Sequence, residues 1–277
     1  MSDNPEIGER VDVDGIGTNY IVAGSGPPLI LLHGSGPGVT AYANWRGVIP
    51  DFARAFTCYA PDTLGFGYTD FPEDIVGFDM ERWVAHLIGF MDALAIPRAH
   101  FIGNSYGGAL TLALAARHPD RVGRIVLMGS AGLDFPMSEG LDKVWGYTPS
   151  LDNMRDLMRT FAFDPALVKE EIVRSRHEAS IRPGAHEKYS RLFPEPRQRW
   201  LTALSTPEDT LRALPQPTLI VHGREDTIVP LDRSLRFHQL IPTSELHVFG
   251  HCGHWTQIEK RDRFVALVMP FLQGSAP

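Results

Sequence analysis

The chain has 277 residues, enough to bury a core unaided, and only two cysteines, Cys58 and Cys252, which excludes a scaffold built on disulfides. A formal net charge of -7 argues against nucleic acid as the main partner, and no apolar run approaches the ~18 residues of a membrane span. The opening MSDNPEIGERVDVDG is acidic and lacks the apolar stretch of a secretory leader, so a cytoplasmic protein is expected.

In chain order, short apolar runs bounded by turn residues predict strands at 19–23, 27–34, 57–62, 99–105, 124–130, 217–223 and 244–250. These runs are continuously apolar rather than alternating, as in strands buried on both faces of a parallel sheet. Between them lie helical patterns at 80–94, 108–117, 233–240 and 261–271. In the first of these, Val84, Leu87, Ile88 and Met91 recur at helical spacing. Strand–helix alternation predicts an α/β fold with a mostly parallel, doubly wound sheet. Residues 134–206 break the rhythm. They hold helical patterns such as LDNMRDLMRTFAF, divided by Pro149, Pro165, Pro183 and Pro194. The expected organisation is a core of 1–133 and 207–277 with an inserted helical lid over 134–206; an unrelated small helical domain is the alternative.

The sharpest motif is Gly103-Asn104-Ser105-Tyr106-Gly107, a G-x-S-x-G between a strand and the helical GALTLALAARH. On a strand-to-helix turn this pattern presents a nucleophilic serine, with helix N–H groups beside it for a developing oxyanion. A second glycine-rich turn, 33–38 (HGSGPG), ends a neighbouring strand. The backbone N–H groups of Ser35 and Tyr106 are the expected oxyanion donors. The loop after the last strand, HVFGHCGHWTQIE, offers His251 and His254, and His254 is the expected base, with His251 structural. HGRED after the sixth strand supplies Asp226 as the acid that orients it, beside Glu225, with Asp134 as the rival. The order Ser105, Asp226, His254 is that of an α/β-hydrolase. No metal is expected, since Cys252 and His254 have no second ligand cluster, and no dinucleotide or phosphate loop is present, so no cofactor is expected.

Across the stretches HGSGPGVTAYANWR, PDTLGFGYTD, GNSYGG, MGSAGLDFP, EGLDKVWGY, ASIRPG, HGREDTIVPL and CGHWTQ, the sequence resembles the meta-cleavage product hydrolases of bacterial aromatic hydrocarbon catabolism. Those enzymes cleave a carbon–carbon bond in 2-hydroxy-6-oxo-hexa-2,4-dienoates. The resemblance is strongest to members that accept small C6 substituents. It implies that Arg176 binds the substrate carboxylate, and that Gly36, Asn44, Asn104 and Trp255 surround the dienoate. Ala131, Leu141, Trp145, Leu201 and Val229 are implied around the C6 substituent. It also implies a small-molecule dienoate as partner and a homo-oligomer. Two other readings remain open at this point: a carboxylesterase or lactonase with the same triad, and a non-catalytic receptor on the same fold.

Overall fold

A computed structural model describes residues 4–274. Eight strands form one sheet: β1 (Glu9–Val13), β2 (Ile16–Ala23), β3 (Pro28–Leu32), β4 (Thr57–Pro61), β5 (Ala99–Asn104), β6 (Val122–Met128), β7 (Thr218–Gly223) and β8 (Ser244–Phe249). Their order is β1-β2-β4-β3-β5-β6-β7-β8; β2 pairs antiparallel with both β1 and β4, and all later pairings are parallel.

The continuous apolar runs arise because each inner strand feeds two cores. In β3, Ile30 and Leu32 join the cluster on one face of the sheet, while Leu29 and Leu31 join the cluster on the other. The same division holds for Leu127 against Val126 and Met128, and for Ile220 against Leu219 and Val221. Helices cover both faces: α1 (Ala41–Trp45), α2 (Ile49–Phe52), α3 (Met80–Ala93) and α4 (Tyr106–Arg117) come before β6 ends. Six more lie between β6 and β7: α5 (Glu139–Trp145), α6 (Leu151–Phe161), α7 (Glu170–Ser180), α8 (Ala185–Leu192), α9 (Gln198–Ala203) and α10 (Glu208–Arg212). Then follow α11 (Leu231–Leu240), α12 (Thr256–Glu259) and α13 (Arg261–Gln273). Among the described residues, no helix is long and apolar enough to cross a membrane.

Strand β1 was not expected from the sequence. Its residues Glu9, Arg10 and Asp12 are polar, and it is an edge strand largely exposed, tied to β2 through a tight turn at Asp14 and Gly15. An edge strand needs no apolar face on both sides, so it leaves no apolar run to read.

The sheet order places the site. After β3 the chain pairs β4 on one side, then crosses to lay β5 on the other. Loops leaving adjacent parallel strands in opposite directions open a crevice at their carboxyl ends. The turns after β3 and β5, residues 33–38 and 104–106, end there.

Candidate active site

Ser105 sits between β5 and α4 with φ 54° and ψ -116°, a left-handed backbone that L residues avoid. The surroundings enforce it. A side chain on Gly103 would lie 2.6 Å from the Gly107 carbonyl oxygen, and one on Gly107 would lie 2.3 Å from that of Leu32. The two glycines let the turn close against β3, and the Ser105 N–H donates to Met128 O at 2.9 Å, anchoring it to β6. Such a turn projects the hydroxyl away from the sheet, where the first turn of α4 begins.

The opposite loop is held by a neutral histidine. Burial drives the His33 pKa down to about 4. Its Nδ1 donates to Gly34 O (2.8 Å) and its Nε2 accepts from Thr63 N–H (3.0 Å), a pattern that only the uncharged ring can make. Next in the chain, Ser35 accepts at Oγ from the Trp145 indole N–H (2.9 Å) and at its carbonyl from the Tyr189 hydroxyl (3.1 Å). The loop is therefore braced from below by β4's end and from above by α5 and α8.

Asp226 follows β7 and is fully enclosed. Its Oδ1 accepts from the N–H groups of Ile228 (2.8 Å) and Val229 (3.0 Å), leaving Oδ2 for His254 Nδ1 at 2.7 Å. Burial pushes its carboxyl up, but His254, with His222 and the Ile228 N–H behind it, pulls harder and holds it below its usual value. An ionised carboxylate here accepts only, so Nδ1 carries the proton and Nε2 is the nitrogen left for the cavity.

The His254 loop is strapped to the inserted helices. His254 N–H donates to Phe161 O (2.8 Å) at the end of α6, and Thr227 Oγ1 donates to Thr160 O (2.9 Å). Glu259 accepts from Gly253 N–H (2.7 Å) with one oxygen and from Phe163 (2.9 Å) and Asp164 (3.2 Å) N–H with the other. The Phe161 ring stacks on Trp255 at 4.9 Å. Nothing in the residue pattern marked Glu259, because its three donors are backbone groups supplied by the fold.

These elements enclose a cavity of about 40 Å³. Of the expected residues, Ser35, Gly36, Asn44, Asn104, Ser105, Leu141, Arg176, His254 and Trp255 border it. Tyr106 is expected there only through its backbone N–H at the start of α4; its ring is buried behind the elbow among Phe66, Phe78 and Phe193. Four expected wall residues, Ala131, Trp145, Leu201 and Val229, do not border it and lie in the packed cluster behind. Trp145 is turned away because its ring stacks on Phe193 at 4.3 Å while its N–H holds Ser35. At Val229 both backbone groups are engaged, the N–H by Asp226 and the carbonyl by His222, and the neighbouring Ile228 reaches the cavity instead. The apolar wall is completed by Val144 and by Met154, Leu157, Met158 and Phe161 of α6, whose spacing puts them on one helix face. The rival histidine His251 is exposed, against Phe163, and the rival carboxylate Asp134 is exposed, bonded to Gln198 and Thr202 of α9.

Two polar side chains stand out at the cavity wall, Asn44 and Arg176. The Asn44 amide nitrogen is buried and has no partner among the described residues. Arg176 spends Nη1 on Gly38 O (2.8 Å) and pairs with no carboxylate of the described residues. Burial lowers its pKa to about 10, so it stays charged at neutral pH.

A family model described as alpha/beta hydrolase fold matches residues 27–261. The chain is 54% identical to a 2-hydroxymuconate semialdehyde hydrolase of Pseudomonas sp. (strain CF600), over 97% of this chain and 95% of that protein. It is 52% identical to a 2-hydroxy-6-oxo-2,4-heptadienoate hydrolase of Pseudomonas putida, over 97% of each chain. The crystal structure of a meta-cleavage product hydrolase from Pseudomonas fluorescens IP01, complexed with acetates, superposes with a TM-score of 0.96 at 53% identity, covering 99% of this chain and 100% of that one. With the fold, the family model and these relatives in agreement, the chain belongs to the alpha/beta hydrolase fold family and, within it, to the meta-cleavage product hydrolases.

Proposed function

We propose that this enzyme hydrolyses the C5–C6 bond of 2-hydroxy-6-oxo-hexa-2,4-dienoates, giving 2-hydroxypenta-2,4-dienoate and a carboxylic acid. The observation that carries this is Arg176, a guanidinium in no ion pair among the described residues, beside the unpartnered Asn44 amide at the wall of the cavity that also holds Ser105 and His254. Such a half-buried guanidinium, with Glu6 the acidic group that acts on it, suits an anionic ligand, whereas an ester site has no use for one.

In this scheme the carboxylate is held by Arg176 and Asn44, fixing the chain of the substrate along the cavity. The 2-hydroxyl loses its proton and C5 gains one, so the dienol becomes a ketone with an sp³ C5. His254 assists addition to the C6 carbonyl, either of Ser105 or of water, and the N–H groups of Ser35 and Tyr106 receive the oxyanion. When the C5–C6 bond breaks, its electron pair passes through C3=C4 to the C2 oxygen, which is protonated to the dienol product. Where Ser105 was the nucleophile, water activated by His254 then cleaves the acyl ester, freeing the carboxylic acid and the Ser105 hydroxyl. Asp226 keeps the imidazole in its tautomer and stabilises the imidazolium. Residues 134–206 serve as the lid. The simplest test is optical: the coloured ring-fission product should bleach on addition of enzyme. Turnover of p-nitrophenyl acetate without bleaching would favour an esterase instead.

Arg176 gives a sharper test. Arg176→Lys keeps the charge but loses the two-pronged hydrogen bonding, so kcat/KM on the dienoate should fall clearly, and Arg176→Ala should fall further. Hydrolysis of p-nitrophenyl acetate, which has no carboxylate, should change little. If both activities decline together, Arg176 is a structural brace of α7.

The apolar wall sets size. Leu141, Val144 and Ile228 should favour hydrogen or small alkyl at C6. Each methylene is worth ~1–3 kcal/mol, so kcat/KM should be graded from hydrogen to isopropyl. Phenyl should be rejected more steeply, because overpacking forces wall side chains off their rotamers. Leu141→Ala should recover part of the phenyl activity. Equal efficiency on the methyl and phenyl substrates would rule this wall out.

A further inference from the structure

A second, larger cavity of about 340 Å³ adjoins the catalytic one. The two share Asn44, Met158, Arg176 and Trp255, so these four residues form the partition between them. The outer cavity has an apolar side that includes Ile172 of α7 and Ile258 of α12. Its charged lining is Arg46, Lys169, Arg176 and Arg261 against a single carboxylate, Glu6. Arg261 is engaged by Asp51 and Asp262. Arg46 and Lys169 are exposed at the rim, and neither forms an ion pair among the described residues.

This is an island of positive charge on a chain of net charge -7. The overall charge repels a carboxylate, whereas a low-dielectric cleft lined by cations draws one in and raises its local concentration. The catalytic cavity is the smaller of the two, about 40 Å³, and the outer one adjoins it across the shared partition. Met158 is the flexible member of that partition, and an unbranched thioether repacks readily.

We propose that the outer cavity is an antechamber that captures amphipathic organic anions and passes them, acyl end first, into the catalytic cavity. Arg46 and Lys169 provide the capture, and Arg176 in the partition is the stop. The direction follows from the geometry: a carboxylate that ends at the partition must trail the rest of the molecule through it. This rests on the proposed role of Arg176, and the two ideas separate experimentally.

The test uses Arg46→Gln, Lys169→Gln and the double variant of the full chain. Arg98→Gln, an exposed cation just before β5, serves as a control with the same change in charge per site. The first measurement is kcat/KM on the dienoate relative to p-nitrophenyl acetate, at about 10 mM and 500 mM salt. The double variant should lose roughly 5- to 10-fold in this ratio at low salt, with kcat retained, and the loss should vanish at high salt, where charges beyond ~3–5 Å are screened. The second measurement needs no carbon–carbon cleavage: hexa-2,4-dienoate as a competitive inhibitor of ester hydrolysis, whose Ki should rise by a similar factor. An unchanged ratio and Ki in the double variant, or an equal loss with Arg98→Gln, overturns the antechamber. If Arg176→Ala abolishes dienoate turnover while the rim variants do nothing, the clamp stands and the antechamber falls. If no dienoate is bleached but the hexadienoate Ki still responds to the rim, the antechamber stands and the assigned reaction falls.

Discussion

Ser105→Ala and His254→Ala should each lower kcat on the preferred dienoate by several decades, and the double variant should be little worse than either. In triads that act as one unit, single losses reach ~10⁴–10⁶ and combine far below additivity, because removing either member already disables the shared proton transfer. The fold gives a reason to expect clean effects here. Ser105 is placed by its backbone, with the left-handed turn held by the Gly103 and Gly107 contacts and by the bond to Met128, none of which uses the hydroxyl. Alanine keeps that turn. The His254 backbone bond to Phe161 likewise survives the loss of the ring, though the ring's packing against Phe161 does not. Circular dichroism and thermal melts of each variant establish that folding is kept. Residual activity of the double variant equal to the product of the two single losses would mean that Ser105 and His254 act in separate steps.

How much of this was open to the sequence differs from element to element. The inner strands were readable because burial on both faces makes them uniformly apolar, as Leu29 to Leu32 are, each facing one core or the other. The elbow was readable because its chemistry is local: five consecutive residues carry both the strained turn and the glycines that permit it. The candidate triad was proposed from chain order, since each member follows a recognisable strand. The apolar wall was legible only in part. Met154, Leu157, Met158 and Phe161 sit at visibly helical spacing, but which cavity they would line depends on how α6 docks, and that is set by bonds such as Phe161 O to His254 N–H. Ile228 rather than Val229 lines the cavity because a two-residue backbone turn around Asp226 Oδ1 decides which side chain looks out. Glu259 was invisible for the same reason: a carboxylate that caps three backbone N–H groups has no partner side chain to betray it.

Asp226→Asn should fold normally and lose roughly 10⁴-fold in kcat, about 5.5 kcal/mol of transition-state stabilisation, while Asp134→Asn should be nearly silent. The hydrogen bonds specify how the first loss arises. Oδ1 is fixed by two donors, the N–H groups of Ile228 and Val229. An amide at this position must keep its oxygen toward them, so its NH₂ faces His254 Nδ1. Nδ1 then has to accept, the ring proton moves to Nε2, and the nitrogen that should take a proton from the nucleophile already carries one. The imidazolium also loses its counter-charge in a fully enclosed place where little water can replace it. Asp134, by contrast, is exposed and only accepts from Gln198 and Thr202, which an asparagine oxygen can do as well, so its effect should stay within the small range usual for surface changes. Measuring kcat for both variants beside their melting temperatures separates catalysis from stability. Should Asp134→Asn prove the crippling change and Asp226→Asn the silent one, the acid sits after β6 rather than after β7, and the bond between Asp226 and His254 serves the loop and not the reaction.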